Sequence, residues 1–545
     1  MFTHNLAAPT KPTHPAGGLL MLNRRNFLKI SGLAAAYSVL PLWLSACDRA
    51  APSAIAQPTW ELEAPTNGDH RSRVAIRHLL NRLSYGPLPG QIEQVQALGW
   101  DAYLEQQLNP SQLDDSALEQ QLAQFTTLKL SSAHLIEHYP KGANGPRLIM
   151  RELQAASLLR AASSQRQLFE LMVDFWSNHF NIYIGKNQVK WLKTADDREV
   201  IRQHALGKFR DLLLASAKSP AMLVYLDNAE NVRPGVKVGK KMLGLNENYA
   251  RELLELHTVG ADAGYSQADV QAVARVLTGW TITRANSEQP GLFQFLPKFH
   301  DVMAKRIDFL QLDLAADGEI EEGELLLKLL AEHPKTAQRL AYKLCLRFVS
   351  DDPPADLVER VAQAYLQHDT DIRAMLNMLV NSAEFLAAAQ QKIKQPMHLL
   401  ISAIRATNSS ITKQAFKGKN NLLDQLETLG QMFFNWPPPD GYPQISSAWI
   451  NTGAMLSRWN LAFALAEGRI DGLKTDVPKF AKQPSQASEL VDTLADYLNL
   501  SLAAESRASL IDYLNDSQSP NPTVDQTKIA GLLGLLLTSP EFQLC

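Results

Sequence analysis

Leu168-Phe169-Glu170-Leu171-Met172-Val173-Asp174-Phe175-Trp176-Ser177-Asn178-His179 is the run on which the reading of the fold turns. Its large apolar residues Leu168, Leu171, Met172, Phe175 and Trp176 recur at spacings of three and four. That spacing stacks them on one stripe of a helix, whereas a strand would need a repeat of two. The same spacing returns on either side. Ile76, Leu79, Leu80 and Leu83 form a stripe that stops at Tyr85-Gly86-Pro87, where Gly and Pro end a helix. Val270, Val273, Ala274 and Leu277 form another, and helical patterns over 421–434 and 449–465 flank the Pro437-Pro438-Pro439 turn. The body from Arg71 onward therefore reads as all-α, a multi-helix globular body. One short β-hairpin is expected between Trp280 and Pro297, where Thr281-Ile282-Thr283 and Phe293-Gln294-Phe295 alternate around a polar turn.

The composition fits a chain that buries a full core. Of 545 residues, 46% are hydrophobic and 20% charged, without the Gly or Pro excess of a disordered chain. A formal net charge of -3 supplies no basic footprint, so nucleic acid is not an expected partner. Three cysteines, Cys47, Cys345 and Cys545, make no disulfide framework, and Cys345 among Leu340, Leu344 and Phe348 reads as a buried free thiol.

Ahead of the body, Asn23-Arg24-Arg25-Asn26-Phe27-Leu28-Lys29 sets two arginines before an uncharged stretch from Ile30 to Ala46. Pro41 interrupts that stretch, which is too short for a good membrane span. This is the pattern of a twin-arginine export signal, an address read by the export machinery. Leu44-Ser45-Ala46-Cys47 resembles a lipobox, so Cys47 is the expected site of lipidation and the lipid the expected membrane tether. The expected segments are a signal over 1–47, an Ala/Pro-rich flexible tether over 48–70 and the helical body over 71–545, which divides into two helical halves, 71–385 and 386–545. Residues 1–20 have no signal character, and Met21 is the expected start of translation. Export places the body in the cell envelope, on the periplasmic or extracytoplasmic face, lipid-anchored to a membrane.

Familiar catalytic signatures are missing: no Gly-x-Ser-x-Gly, no His-Glu-x-x-His, no paired Cys-x-x-Cys. Any chemistry must come from dispersed residues, and three clusters carry candidates: Trp176 to His179, the helical run Asn246 to His257, and His300-Asp301. On an ideal helix Asn248, Glu252 and Glu255 share one edge, while His257 projects roughly 140° or more from either glutamate. An ion could be held only with outside ligands. The candidate donors are His179, Glu252, Glu255, His300 and Asp301, a carboxylate and imidazole set suited to a divalent zinc, manganese or iron ion. Glu252, Glu255 and His179 are the candidate catalytic groups; Asn178, Asn248, His257 and Trp280 are candidates for binding substrate. The plain alternative is structural: Glu247, Arg251 and Glu255 at i, i+4 and i+8 form an ion-pair ladder, and His257 is a satisfied core histidine. The loop 228–241, with Arg233, Lys237, Lys240 and Lys241, reads as mobile and basic. The stretch 313–324 matches an EF-hand at Asp313, Asp317, Gly318, Ile320 and Glu324, but Ala315 removes a ligand.

Phe175-Trp176-Ser177-Asn178-His179-Phe180, the run Gly244 to Thr258, Leu277-Thr278-Gly279-Trp280, His300-Asp301, Phe434-Asn435-Trp436-Pro437 with Asp440-Gly441-Tyr442-Pro443, and Ser539-Pro540-Glu541-Phe542 resemble the bacterial domain family of unknown function numbered 1800. The resemblance implies a mainly helical exported protein, often encoded beside a second exported protein of phosphatase-like fold. It brings no reaction with it. One departure stands out: members commonly carry a glycine between His-Asp and the next lysine, where this chain has Val302-Met303-Ala304 before Lys305. Two functions stay open on the residues alone. One is a metal-assisted hydrolase working in a His/Glu/Asn pocket; the other is a non-catalytic binding or assembly partner of another exported protein.

Overall fold

The computed structural model describes residues 69–140, 142, 144–238, 241–284, 286–475, 486–515 and 526–545. Arg24, Arg25, Cys47 and the tether up to residue 68 lie outside the described residues.

The described body is all-α, as the spacing predicts. Leu168, Leu171, Met172, Phe175 and Trp176 fall in the helix Gln167–His179, each at most 4% exposed. The helix Arg73–Leu83 buries Ile76, Leu79, Leu80 and Leu83 and is capped by the Ser72 hydroxyl, which accepts from the Ala75 N–H. Gln267–Val276 starts on a reciprocal cap between Ser266 and Asp269. Helix Pro334–Phe348 packs on Ala355–Gln367, and that helix on Ile372–Val380. Gly145–Ser163 packs on Pro396–Ala406, and Thr452–Ala466 on Gln526–Thr538. One hydrophobic cluster takes residues from Ala75 through to Phe542, drawing on both sides of residue 385. Its driving force is the removal of this continuous apolar surface from water. Among the described residues no helix is long and apolar enough to cross a membrane. Cys345 and Cys545 are buried free thiols.

The expected hairpin forms, with Trp280–Ile282 antiparallel to Phe293–Phe295 and Trp280 opposite Phe295. It is one of four two-stranded pairs among the described residues; the others join Lys237–Val238 to Lys241–Met242, Lys305–Ile307 to Leu312–Leu314, and Ser410–Ile411 to Leu473–Lys474. Strands of two or three residues are too short to show an alternation.

Four local expectations need correction. The helical pattern over 421–434 yields only Leu422–Thr428, because Gly430 turns the chain with φ +83°. The start of the basic loop is an internal brace: Asn228 donates to the carbonyls of Leu277 and Trp280, Asn231 to that of Ala274, and both side chains are 1% exposed. The EF-hand match dissolves, since Asp313 sits in a strand and pairs with Arg306 at 2.9 Å while Glu324 pairs with Lys218 at 2.5 Å. The run 246–257 is not a uniform α-helix: Asn248–Glu252 is α, and Leu253–His257 widens into a π turn. The ideal helical wheel therefore fails beyond Glu252, and π turns of this kind often mark functional positions.

Candidate functional site

The stretch Trp436–Pro443 holds four prolines and a glycine in eight residues, so it cannot join a helix, and its backbone groups must find partners elsewhere. They find them on the end of the Gln167–His179 helix and the residues after it. Asn178 donates Nδ2–H to the Tyr442 carbonyl at 2.9 Å and accepts the Tyr442 N–H on Oδ1 at 2.7 Å. Asn181 donates to the carbonyls of Trp436 and Pro438, and the Tyr225 hydroxyl to that of Pro437 at 2.7 Å. Gly441, at φ +77°, lies so close to the Asn178 carbonyl that a Cβ would collide with it. Phe434 holds φ +58°, a conformation that costs a bulky residue about 1–3 kcal/mol. Its carbonyl accepts the Ile184 N–H at 2.9 Å, and the Lys193 ammonium sits 4.9 Å from its ring centre. The loop is clamped in place and locally strained.

Between this loop and the helix Pro334–Phe348 opens a cleft of about 320 Å³, lined by Asn178, His179, Lys343, Trp436, Asp440 and Tyr442 among others. That volume suits a small molecule. At its floor, His179 donates Nε2–H to the His257 carbonyl at 3.1 Å, which leaves Nδ1 as the acceptor for the Lys343 ammonium at 3.0 Å. Burial holds the His179 imidazole well below its usual range, and the charges of Lys343, His257 and Arg339 add to this. Burial, then Arg339, also pushes Lys343 down to about 7, while Asp440 at the rim opposes the shift. Among the described residues no carboxylate forms an ion pair with Lys343. The Trp436 indole donates to Asp440 Oδ1 at 2.9 Å and keeps that exposed carboxylate at the mouth.

The sequence candidates divide among several places. Asn178 and His179 are in the cleft. Glu252 is half-buried nearby, its carboxyl raised by burial, by Glu255 and by Asp440 against the pull of Arg251. Glu255, also half-buried, feels Arg339 and Tyr265. The expected ladder is half formed, with Arg251 on Glu247 at 3.3 Å. Asn248 donates to the Leu226 carbonyl at 3.1 Å and so ties its helix to the neighbouring chain. His257 is 1% exposed, its ring packed on those of Phe180, Tyr249 and His179, with neither ring nitrogen hydrogen-bonded; burial lowers it to about 3. Trp280 is fully buried against Gly323 and Phe293. His300 donates Nδ1–H to the Thr278 carbonyl at 2.8 Å and sets Nε2 3.3 Å from Glu322, while Asp301 pairs with Arg275 at 2.7 Å.

Three of the five proposed metal donors are thus engaged elsewhere: Asp301 by an arginine, His300 by Glu322, and both His179 nitrogens by a carbonyl and an amine. Among the described residues no group of three or more His, Cys, Asp or Glu side chains gathers around a common point. The fold does not bring these five together as one zinc, manganese or iron site.

The sequence reading of chemistry missed Lys343, Trp436 and Asp440. The available signal was Asn435-Trp436-Pro437 with Asp440-Gly441, an exposed carboxylate held by residues suited only to a shaped loop. The family described as "Protein of unknown function (DUF1800)" matches residues 78–544. The chain belongs to the DUF1800 family. Two of the motifs that carried the resemblance, around Asn178 and around Gly441, meet here as clamp and loop in this DUF1800 protein. No curated protein and no solved structure matches the chain.

Proposed function

We propose that this DUF1800 protein is an exported, membrane-tethered protein of the bacterial envelope that binds a small polar ligand in the cleft over His179 and Lys343. The carrying observation is Lys343: an amine at the floor of an open cleft whose hydrogen bond goes to a neutral imidazole instead of a carboxylate. A lysine so placed costs stability, because its charge is taken from water without a counter-ion. Groups kept under that strain in a cleft are where ligands are met. With Lys343 able to shed its proton near neutrality, the site has a base at hand. The twin-arginine motif and Cys47 support the envelope placement, through the export machinery and a lipid. A co-encoded exported protein of phosphatase-like fold is the partner that the family resemblance supplies.

Two measurements test the reading. Fractionation of cells should find the wild type with membranes and Cys47→Ser released from them; wild type in the cytosol with unmodified Cys47 would end the envelope assignment. Native mass spectrometry after incubation with the small-molecule fraction of an envelope extract should show a compound retained by the wild type and lost from folded Lys343→Met. Equal retention by both would remove the cleft from the account.

A further inference from the structure

We infer that Lys343 forms a reversible imine with a small neutral hydroxy-aldehyde or hydroxy-ketone bound in the cleft, a proposal that rests on the cleft being the ligand site.

The geometry supplies each requirement. The amine must be reachable, and Lys343 is half-buried at the floor of a cleft of about 320 Å³. It must not be locked in an ion pair, and its hydrogen bond runs to His179 Nδ1. That bond also aims it, because His179 is itself fixed by the His257 carbonyl on the other side of the ring. Nucleophilic amines of this kind are obtained by desolvating a lysine beside another cationic group, here Arg339.

The walls select the carbonyl compound. Phe175, Leu346 and the half-buried face of Trp436 offer apolar surface of the sort that packs on the C–H face of a polyol. The exposed Asp440 carboxylate at the mouth makes the entrance negative, so a neutral carbonyl compound is admitted in preference to a keto acid. Asp440 Oδ2 has no hydrogen bond among the described residues and is free to accept from a ligand hydroxyl.

The step balances without a co-reactant. The neutral amine adds to the carbonyl carbon, a proton moves from nitrogen to the former carbonyl oxygen, and a carbinolamine results. Loss of that hydroxyl as water, with a proton drawn from solvent through the open cleft, leaves the protonated C=N bond, which gives the imine by returning a proton to solvent; hydration reverses it. No group is oxidised or reduced.

Lys394 is an internal control. Burial pushes it down to about 8, but it is 3% exposed and its ammonium is spent on the Ser402 hydroxyl at 2.9 Å. Lowered basicity alone would make both lysines react; access as well singles out Lys343.

The full chain is incubated at pH 7 with glyceraldehyde, or with glyoxylate as the anionic comparison, and trapped with cyanoborohydride, which reduces the imine to a stable secondary amine. Peptide mapping should place the glyceraldehyde adduct on Lys343 about tenfold above any other lysine, since ordinary lysines are almost wholly protonated at that pH. Labelling should rise with a midpoint near 7, spare Lys394 and favour glyceraldehyde over glyoxylate. Because mapping is done on the wild type, the answer does not depend on Lys343→Met folding. Adducts spread over exposed lysines without excess at Lys343 would overturn the imine. If retention of the extract compound still required Lys343 in that case, the binding cleft would stand without the covalent step; if retention failed too, both would fall.

Discussion

Lys305 and Lys343 are two lysines drawn in from solvent beside a histidine, and the fold treats them in opposite ways. Lys305 is buried and meets Glu322 at 2.7 Å, and the same carboxylate oxygen faces His300 at 3.3 Å. The triad is closed, with charge matched to charge and all three side chains buried. Lys343 has the imidazole and lacks the carboxylate, and a cleft stands open over it. The contrast separates a network that holds a fold from one whose amine faces an open cleft. Sequence alone ranks them the other way, since it offers His300 and Asp301 as ligands and gives Lys343 no role.

The largest effect expected from this contrast is at Glu322. In Glu322→Ala, Lys305 stays buried with no counter-ion, and breaking a buried pair from one side costs about 3–5 kcal/mol. Urea unfolding followed by circular dichroism would measure it. A loss below about 1 kcal/mol would mean that the triad is not structural and would reopen His300 as a functional residue.

A smaller effect is expected at the clamp. Asn178→Ala removes both hydrogen bonds to Tyr442, leaving its half-buried N–H without a partner and its carbonyl only the long bond from Gln444 at 3.5 Å, at about 1–3 kcal/mol. Because the same loop carries Trp436 and Asp440, this variant should also lose the retained ligand, whereas a variant such as Asp313→Asn, in the exposed pair with Arg306, should keep it. Unfolding and native mass spectrometry on the same samples separate the two losses. Retention unaffected in Asn178→Ala would show that the loop does not shape the site.

Much of the fold was legible because it rests on periodicity. Leu168 to Trp176, Ile76 to Leu83 and Val270 to Leu277 each report their helix within one window of sequence. The site was legible only in part, for two physical reasons. Its floor joins residues 164 positions apart, and no local pattern encodes that meeting. Lys343 also stands beside the buried stripe Leu340, Leu344 and Phe348, where a lysine ordinarily extends into water. Asn178 and His179 were found because polar residues closing an apolar stripe are conspicuous; His257 was singled out on the same grounds, and here only its carbonyl serves the site. The π turn after Glu252 has no signature in the residues that form it.

The smallest effect has the reverse sign, and it discriminates best. Lys343→Met removes an amine whose protonation the folded state resists. Its folded value of about 7 lies below the value of about 10.4 for an unfolded lysine, so between these limits the unfolded chain binds more protons. Wild-type stability should therefore rise with pH from about 7 to about 10, and below 7, where both states are protonated, the penalty is present in full. Lys343→Met escapes it. The variant should be more stable than the wild type by about 1–2 kcal/mol at pH 6, a value well below the full shift because Lys343 is partly solvated, and the gap should close as pH approaches 10. Thermal unfolding of both proteins across pH 6–10 reads this directly. In Lys305→Met the same deletion leaves Glu322 buried without its cation, and the variant should be less stable across that range. If the two methionine variants behaved alike, the distinction between the closed triad and the open cleft would have no energetic basis.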